Sequence, residues 1–170
     1  TVTTAINNNF KTWIEIPRGL TLTATCGDFI WWDKAYTLDI YGTLDLGGNA
    51  LSVGTTKSHV ITLYAGGEIK STSAKGLAIF AANTAINVKA SEGTATALLN
   101  TPVQARENTT ISVEADVTAV LNGDIVLKGG GESGTATPVV TKTGAGTLEF
   151  NGTIPNGATL VLSAGTLKRV

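Results

Sequence analysis

The chain has little of what most chemistry needs. Its 170 residues include one cysteine (Cys26), one histidine (His59) and no methionine. A single cysteine excludes a disulfide framework, and a single histidine leaves no Cys/His set for structural zinc. Charge is also sparse. Twelve Lys+Arg against 13 Asp+Glu leave a net charge of -1, which excludes the basic footprint of a nucleic-acid binder. No apolar run approaches the roughly 20 residues that cross a bilayer as a helix, so membrane insertion is not expected. Helical periodicity is missing as well: no stretch follows a 3.6-residue period for more than one turn, and Ala74–Ala82 comes nearest.

What remains is rich in Thr, Gly and Ala, with Leu, Ile and Val in short alternating bursts. That composition is β-prone, turn-rich and too apolar for disorder. The bursts recur on a beat. Leu20-Thr-Leu22, Leu38-Asp-Ile40, Ile61-Thr-Leu63, Ile86-Asn-Val88, Ile111-Ser-Val113 and Leu160-Val-Leu162 share one form, and a weaker member, Val139-Val-Thr141, stands before the last. The steps between the six strong members are 18, 23, 25, 25 and 49 residues, the last divided by the weak member into 28 and 21. Second bursts follow at Gly42–Leu46, Gly66–Lys70, Asp116–Val120 and Gly165–Lys168, and third bursts at Leu51–Val53, Leu77–Ile79, Ile125–Leu127 and Leu148–Phe150.

Three short strands per repeat predict an all-β chain, a three-sided parallel β-solenoid of about six to seven rungs. Alternation sends every second residue inward. No rung can bury its apolar face alone, so neighbours must stack. Leu38, Ile61, Ile86 and Ile111 are expected to form one internal ladder, with Ile40, Leu63, Val88 and Val113 beside it. The expected outward ladder is Thr21, Asp39, Thr62, Asn87, Ser112 and Val161. The competing arrangement is an antiparallel sandwich, but its hairpins have few candidate turns: Asn122-Gly123, Asn151-Gly152 and Asn156-Gly157. One domain over 1–170 is expected, with 1–36 as an aromatic N-terminal cap or assembly segment and 37–170 as rungs.

Residues 142–150, Lys-Thr-Gly-Ala-Gly-Thr-Leu-Glu-Phe, followed by Leu162-Ser-Ala-Gly-Thr-Leu167, resemble the autotransporter-associated β-strand repeat of bacterial passenger proteins. Tyr36–Val53 is similar to a second, degenerate copy. The spacer between the two halves is short and carries Pro155. The resemblance implies a right-handed β-helix displayed outside the cell and supplies no catalytic residues. A Thr-rich, Lys-poor composition opening on Thr1 fits a mature exported segment.

Chemistry-bearing constellations are few. His59 lies in Thr-Thr-Lys-Ser-His and is expected to be an exposed turn residue. Cys26, beside the aromatic block, is expected to be buried and inert. The outward ladder offers a single carboxylate, which disfavours a polysaccharide lyase or hydrolase. No enzyme and no cofactor or metal are expected. Asp28, Trp31, Trp32, Asp33 and Tyr36 place aromatic rings near acids, a candidate platform for glycans. Self-assembly is the other candidate. The uncharged segment containing Thr1, Val2, Ala5 and Ile6 would add to the last rung, Leu160, Leu162 and Leu167, of another copy, head to tail. The expected function is that of a secreted structural or adhesive β-solenoid at a bacterial surface, with itself, other surface components or glycans as partners.

Overall fold

A computed structural model describes residues 13–25, 27–31, 35–54, 59–81, 84–131 and 137–170. It is all-β. The described residues form nineteen strands and no helix, and every strand-to-strand pairing is parallel.

The strands sort into three sheets by taking every third element as far as β17, after which β18 and β19 extend the first and second sheets. The first sheet stacks β1 (Trp13–Ile16), β4 (Thr37–Ile40), β7 (Val60–Tyr64), β10 (Ala85–Lys89), β13 (Thr109–Val113), β16 (Val140–Thr143) and β18 (Leu160–Leu162). The second stacks β2 (Thr21–Thr23), β5 (Thr43–Asp45), β8 (Glu68–Lys70), β11 (Thr96–Asn100), β14 (Thr118–Leu121), β17 (Thr147–Phe150) and β19 (Thr166–Arg169). The third contains β3 (Phe29–Trp31), β6 (Leu51–Val53), β9 (Leu77–Ile79), β12 (Val103–Ala105) and β15 (Ile125–Leu127). Five turns therefore carry a strand on all three sides, and the two after them carry strands on two. This is a three-sided β-solenoid.

The expected internal ladders are present. Leu38, Ile61, Ile86 and Ile111 stand in register, as do Ile40, Leu63, Val88 and Val113, and all are buried. A third column crosses the second sheet as Leu22, Leu44, Ile69, Leu99, Leu121 and Phe150. Burying such columns, at about 25 cal/mol per Å² of apolar surface, is what holds the turns together.

Four details depart from the sequence expectation. Leu22 belongs to the second sheet, in register with Leu44, and the first-sheet partners of Leu38 and Ile40 are Ile14 and Ile16. The outward ladder accordingly starts at Glu15 rather than Thr21, and runs through Asp39, Thr62, Asn87 and Ser112 to Thr143 rather than Val161. Leu148–Phe150 lies in the second sheet, not the third. The weak member is shifted by one residue: Val140 and Lys142 point inward, not Val139 and Thr141. A one-residue slip exchanges the faces of a strand. A lysine in a core position hid the true register.

The third sheet also breaks the in–out rule. Ser52, Ala78 and Gln104 occupy its outward positions and are buried nonetheless. Arg106 reaches over this side, with its Nε donating to Gln104 Oε1 at 3.3 Å and its guanidinium 4.9 Å from the Phe80 ring centre. Strands buried on both faces read as continuous apolar runs rather than alternation, as Leu77-Ala-Ile79 does.

Candidate functional site

Of the glycan platform expected from Asp28, Trp31, Trp32, Asp33 and Tyr36, the described side chains are those of Asp28 and Tyr36, and Tyr36 does not face outward. Tyr36 is only 7% exposed and belongs to the core. Its ring stacks on that of His59, with centroids 5.9 Å apart and planes 7° from parallel. His59 is therefore no exposed turn residue. It is 3% exposed and its Nε2 lies 3.3 Å from the Gly54 carbonyl oxygen. Both side chains fall one position before the first-sheet strands, on the inward side, where Thr84 and Thr109 continue the column.

Asp28 is occupied in joining turns. Its Oδ1 accepts the Ala50 N–H at 2.8 Å, and its Oδ2 pairs with Lys75 Nζ at 3.2 Å. The Ala50 hydrogen bond, with help from Lys75 and against partial burial, holds the carboxyl below the ordinary aspartate range. Trp31 contributes its backbone to β3, in register with Val53. Trp32, Asp33 and Cys26 lie outside the described residues, as do Thr1, Val2, Ala5 and Ile6. Of the expected assembly residues that are described, Leu160 and Leu167 pack against the core, while Leu162 is 48% exposed.

A different cluster stands on the outward side of the first sheet. Trp13 is 55% exposed and its Nε1 donates to Asp39 Oδ2 at 2.7 Å, tying β1 to β4. Glu15 is in register beside Asp39. One corner further along, Tyr41 and Tyr64 stack with ring centroids 3.8 Å apart. The Tyr64 hydroxyl is held above the ordinary phenol range by its hydrogen bond with Tyr41, by burial and by the Asp39 charge. Beyond these groups the face continues in short polar side chains, Asn87, Ser112 and Thr143. Sequence reading missed the cluster because its members come from three turns. The signal was present: Trp13, Glu15, Asp39, Tyr41 and Tyr64 all take outward parity once β1 is aligned with β4.

Along the second sheet the polar side chains bind one another. Asn151 donates to Asn122 Oδ1 at 2.7 Å, Asn122 to Asn100 Oδ1 at 2.5 Å, and Asn100 to Glu68 Oε1 at 2.6 Å. A shallow cleft of about 210 Å³ lies nearby, lined by Asp45, Gly47, Lys70, Ser71, Thr72 and Asn100. Asp45 and Lys70 already pair across it at 3.1 Å, an interaction that also raises the Lys70 pKa. Among the described residues there is no group of three or more His, Cys, Asp or Glu placed to hold a metal ion.

Fold and face together define a three-sided parallel β-solenoid with an aromatic, acidic outer patch among the described residues. No family model matches the chain, and no curated protein or solved structure matches it.

Proposed function

We propose that the protein is a secreted, non-enzymatic β-solenoid of a bacterial surface that serves as a structural and adhesive element. The observation that carries this reading is the outer face of the first sheet. Seven in-register strands hold it rigid, and its turns are spaced at the roughly 4.8 Å of a β-ladder. Trp13, Glu15, Asp39, Tyr41 and Tyr64 give one end of that face aromatic edges and negative charge. Rigid aromatic groups on a preorganised scaffold are the side chains that carry most contact energy at interfaces. The resemblance of 142–167 to a passenger-type repeat supports display at a surface.

The test is retention of the purified chain on immobilised mucin, peptidoglycan and a panel of neutral polysaccharides. Wild type is expected to be retained on at least one of them, and a Trp13→Ala/Tyr64→Ser double variant with unchanged circular dichroism to lose that retention. Equal retention of both proteins, or of neither, overturns the assignment of this face. Release of reducing sugar from any of these polysaccharides overturns the non-enzymatic reading.

A further inference from the structure

Lys142 occupies a position built for an aliphatic side chain. In the first-sheet column its predecessors are Leu38, Ile61, Ile86 and Ile111, and Leu162 follows it. It is 0% exposed, so no part of it reaches water. The stem fills the column, and the amine ends at the corner between the first and second sheets. There Nζ donates to the carbonyl oxygens of Thr143 at 2.7 Å, Gly144 at 2.7 Å and Ala164 at 3.0 Å. An ammonium has three N–H donors and no acceptor, and each has a carbonyl here. The neutral amine would present a lone pair to one of those oxygens. Burial works in the other direction and lowers the pKa.

The surrounding backbone is shaped to this group. Gly144 has φ +76 and Gly165 φ +75, conformations that favour glycine. A Cβ on Gly144 would collide with the Val113 carbonyl oxygen. One on Gly165 would collide with the carbonyl oxygens of Gly144 and Gly146 and stand 2.8 Å from Lys142 Nζ. Thr143 and Gly144 belong to the turn of β16 and β17, Ala164 to the turn of β18 and β19. The amine therefore spans two turns.

We propose that this corner is an internal ammonium-binding site, a cage of three main-chain carbonyls whose ligand class is a primary alkylammonium supplied in cis by Lys142, and that the bound charge fastens the β18–β19 turn to the β16–β17 turn. The methylene stem alone does not do this, since leucine or isoleucine fills the same column in the preceding turns without reaching a corner carbonyl. The clamp joins Lys142 and Gly144 of one turn to the corner of Ala164 and Gly165 in the next.

Two measurements on the full chain test it. The first is the ¹H–¹⁵N spectrum of lysine ammonium groups in the wild-type protein at pH 7. One NH₃⁺ signal protected from solvent exchange is expected, and it should vanish in Lys142→Met. A folded wild-type chain with no protected ammonium overturns the proposal. The second is amide hydrogen exchange in Lys142→Ala. The amides of β18 and β19 should exchange about tenfold faster or more, while those of β7 and β10 stay as in wild type. Added n-propylammonium chloride should restore protection, and sodium chloride or n-propanol at equal concentration should not. Rescue by propanol as good as by propylammonium, or wild-type protection of β18 and β19 in Lys142→Met, shows that packing suffices and overturns the charge-based clamp.

Discussion

Replacing Ile86 with alanine examines the solenoid at its centre. Ile86 is fully buried and stands between Ile61 and Ile111 in the first-sheet column. The substitution removes three carbons, worth about 2.4 kcal/mol at roughly 0.8 kcal/mol per buried CH₂. The backbone on both sides is pinned by parallel ladders, so the space cannot collapse and a cavity term adds to the loss. The expected cost is about 3 kcal/mol, within the usual range of about 2–5 for such truncations. For a chain of this size that lowers the melting temperature by about 6–12 °C. Asn87 is the internal control. It is the next residue, its side chain faces outward, and it sits in register with Thr62 and Ser112. Asn87→Ala should change stability by no more than about 0.5 kcal/mol. Thermal and urea unfolding followed by circular dichroism at 218 nm reads both. Equal losses from the two variants, or a larger loss from Asn87→Ala, would refute the register. Ile86→Asp, which buries an unpaired carboxyl in the same column, should prevent folding.

Other perturbations separate the remaining structural claims. Gly144→Ala should destabilise by more than about 2 kcal/mol, because strain and collision with the Val113 carbonyl coincide. Gly19→Ala has the same φ sign but nothing within 4 Å of the new methyl, so about 1 kcal/mol is expected; similar melting curves for the two would contradict the corner geometry. His59→Ala should cost about 2 kcal/mol through lost stacking on Tyr36 and an emptied core position, and a neutral effect in chemical denaturation would refute its burial. The carboxyl of Asp28 is depressed in the fold, so its stabilisation is present above the ordinary aspartate value of 3.8 and is lost as pH falls through the lower folded value. Acid titration should show Asp28→Asn less stable than wild type at pH 6 and the gap closing below that point; a constant gap would exclude the carboxylate as its cause. Sedimentation velocity at high concentration reads head-to-tail assembly, with a variant lacking residues 1–9 expected to lose polymers if the first segment mediates it.

The repeat made much of the architecture legible. Ile61, Ile86 and Ile111 are spaced so regularly that stacking is the only way to bury them all. The limits came from two physical exceptions to alternation. Lys142 put a charged end in a core column, so the weak rung read as Val139–Thr141, one residue out of register. In the third sheet both sides of β9 are covered, so the middle residue of Leu77-Ala-Ile79 is buried where alternation sends it to solvent, although the burst itself was read. The candidate face was less legible, because Trp13, Asp39 and Tyr64 come onto one face only through the stacking of three turns. The block around Trp31 drew attention instead, by aromatic density along the chain. His59 was misplaced for a related reason: polar neighbours in sequence suggested a surface corner, while its own side chain takes inward parity beneath Tyr36.

The asparagine column on the second sheet has a consequence for handling the protein. Asn151, Asn122 and Asn100 pass hydrogen bonds in one direction to Glu68, and the strands beneath them repeat at the spacing of a cross-β fibre. A single folded molecule thus presents side-chain columns at fibre spacing, the asparagine column over four turns of a seven-stranded sheet, and amyloid-type dyes are expected to bind along them. Thioflavin fluorescence from a monodisperse sample of this chain would report its native state, and polymer growth should be followed by mass or light scattering instead.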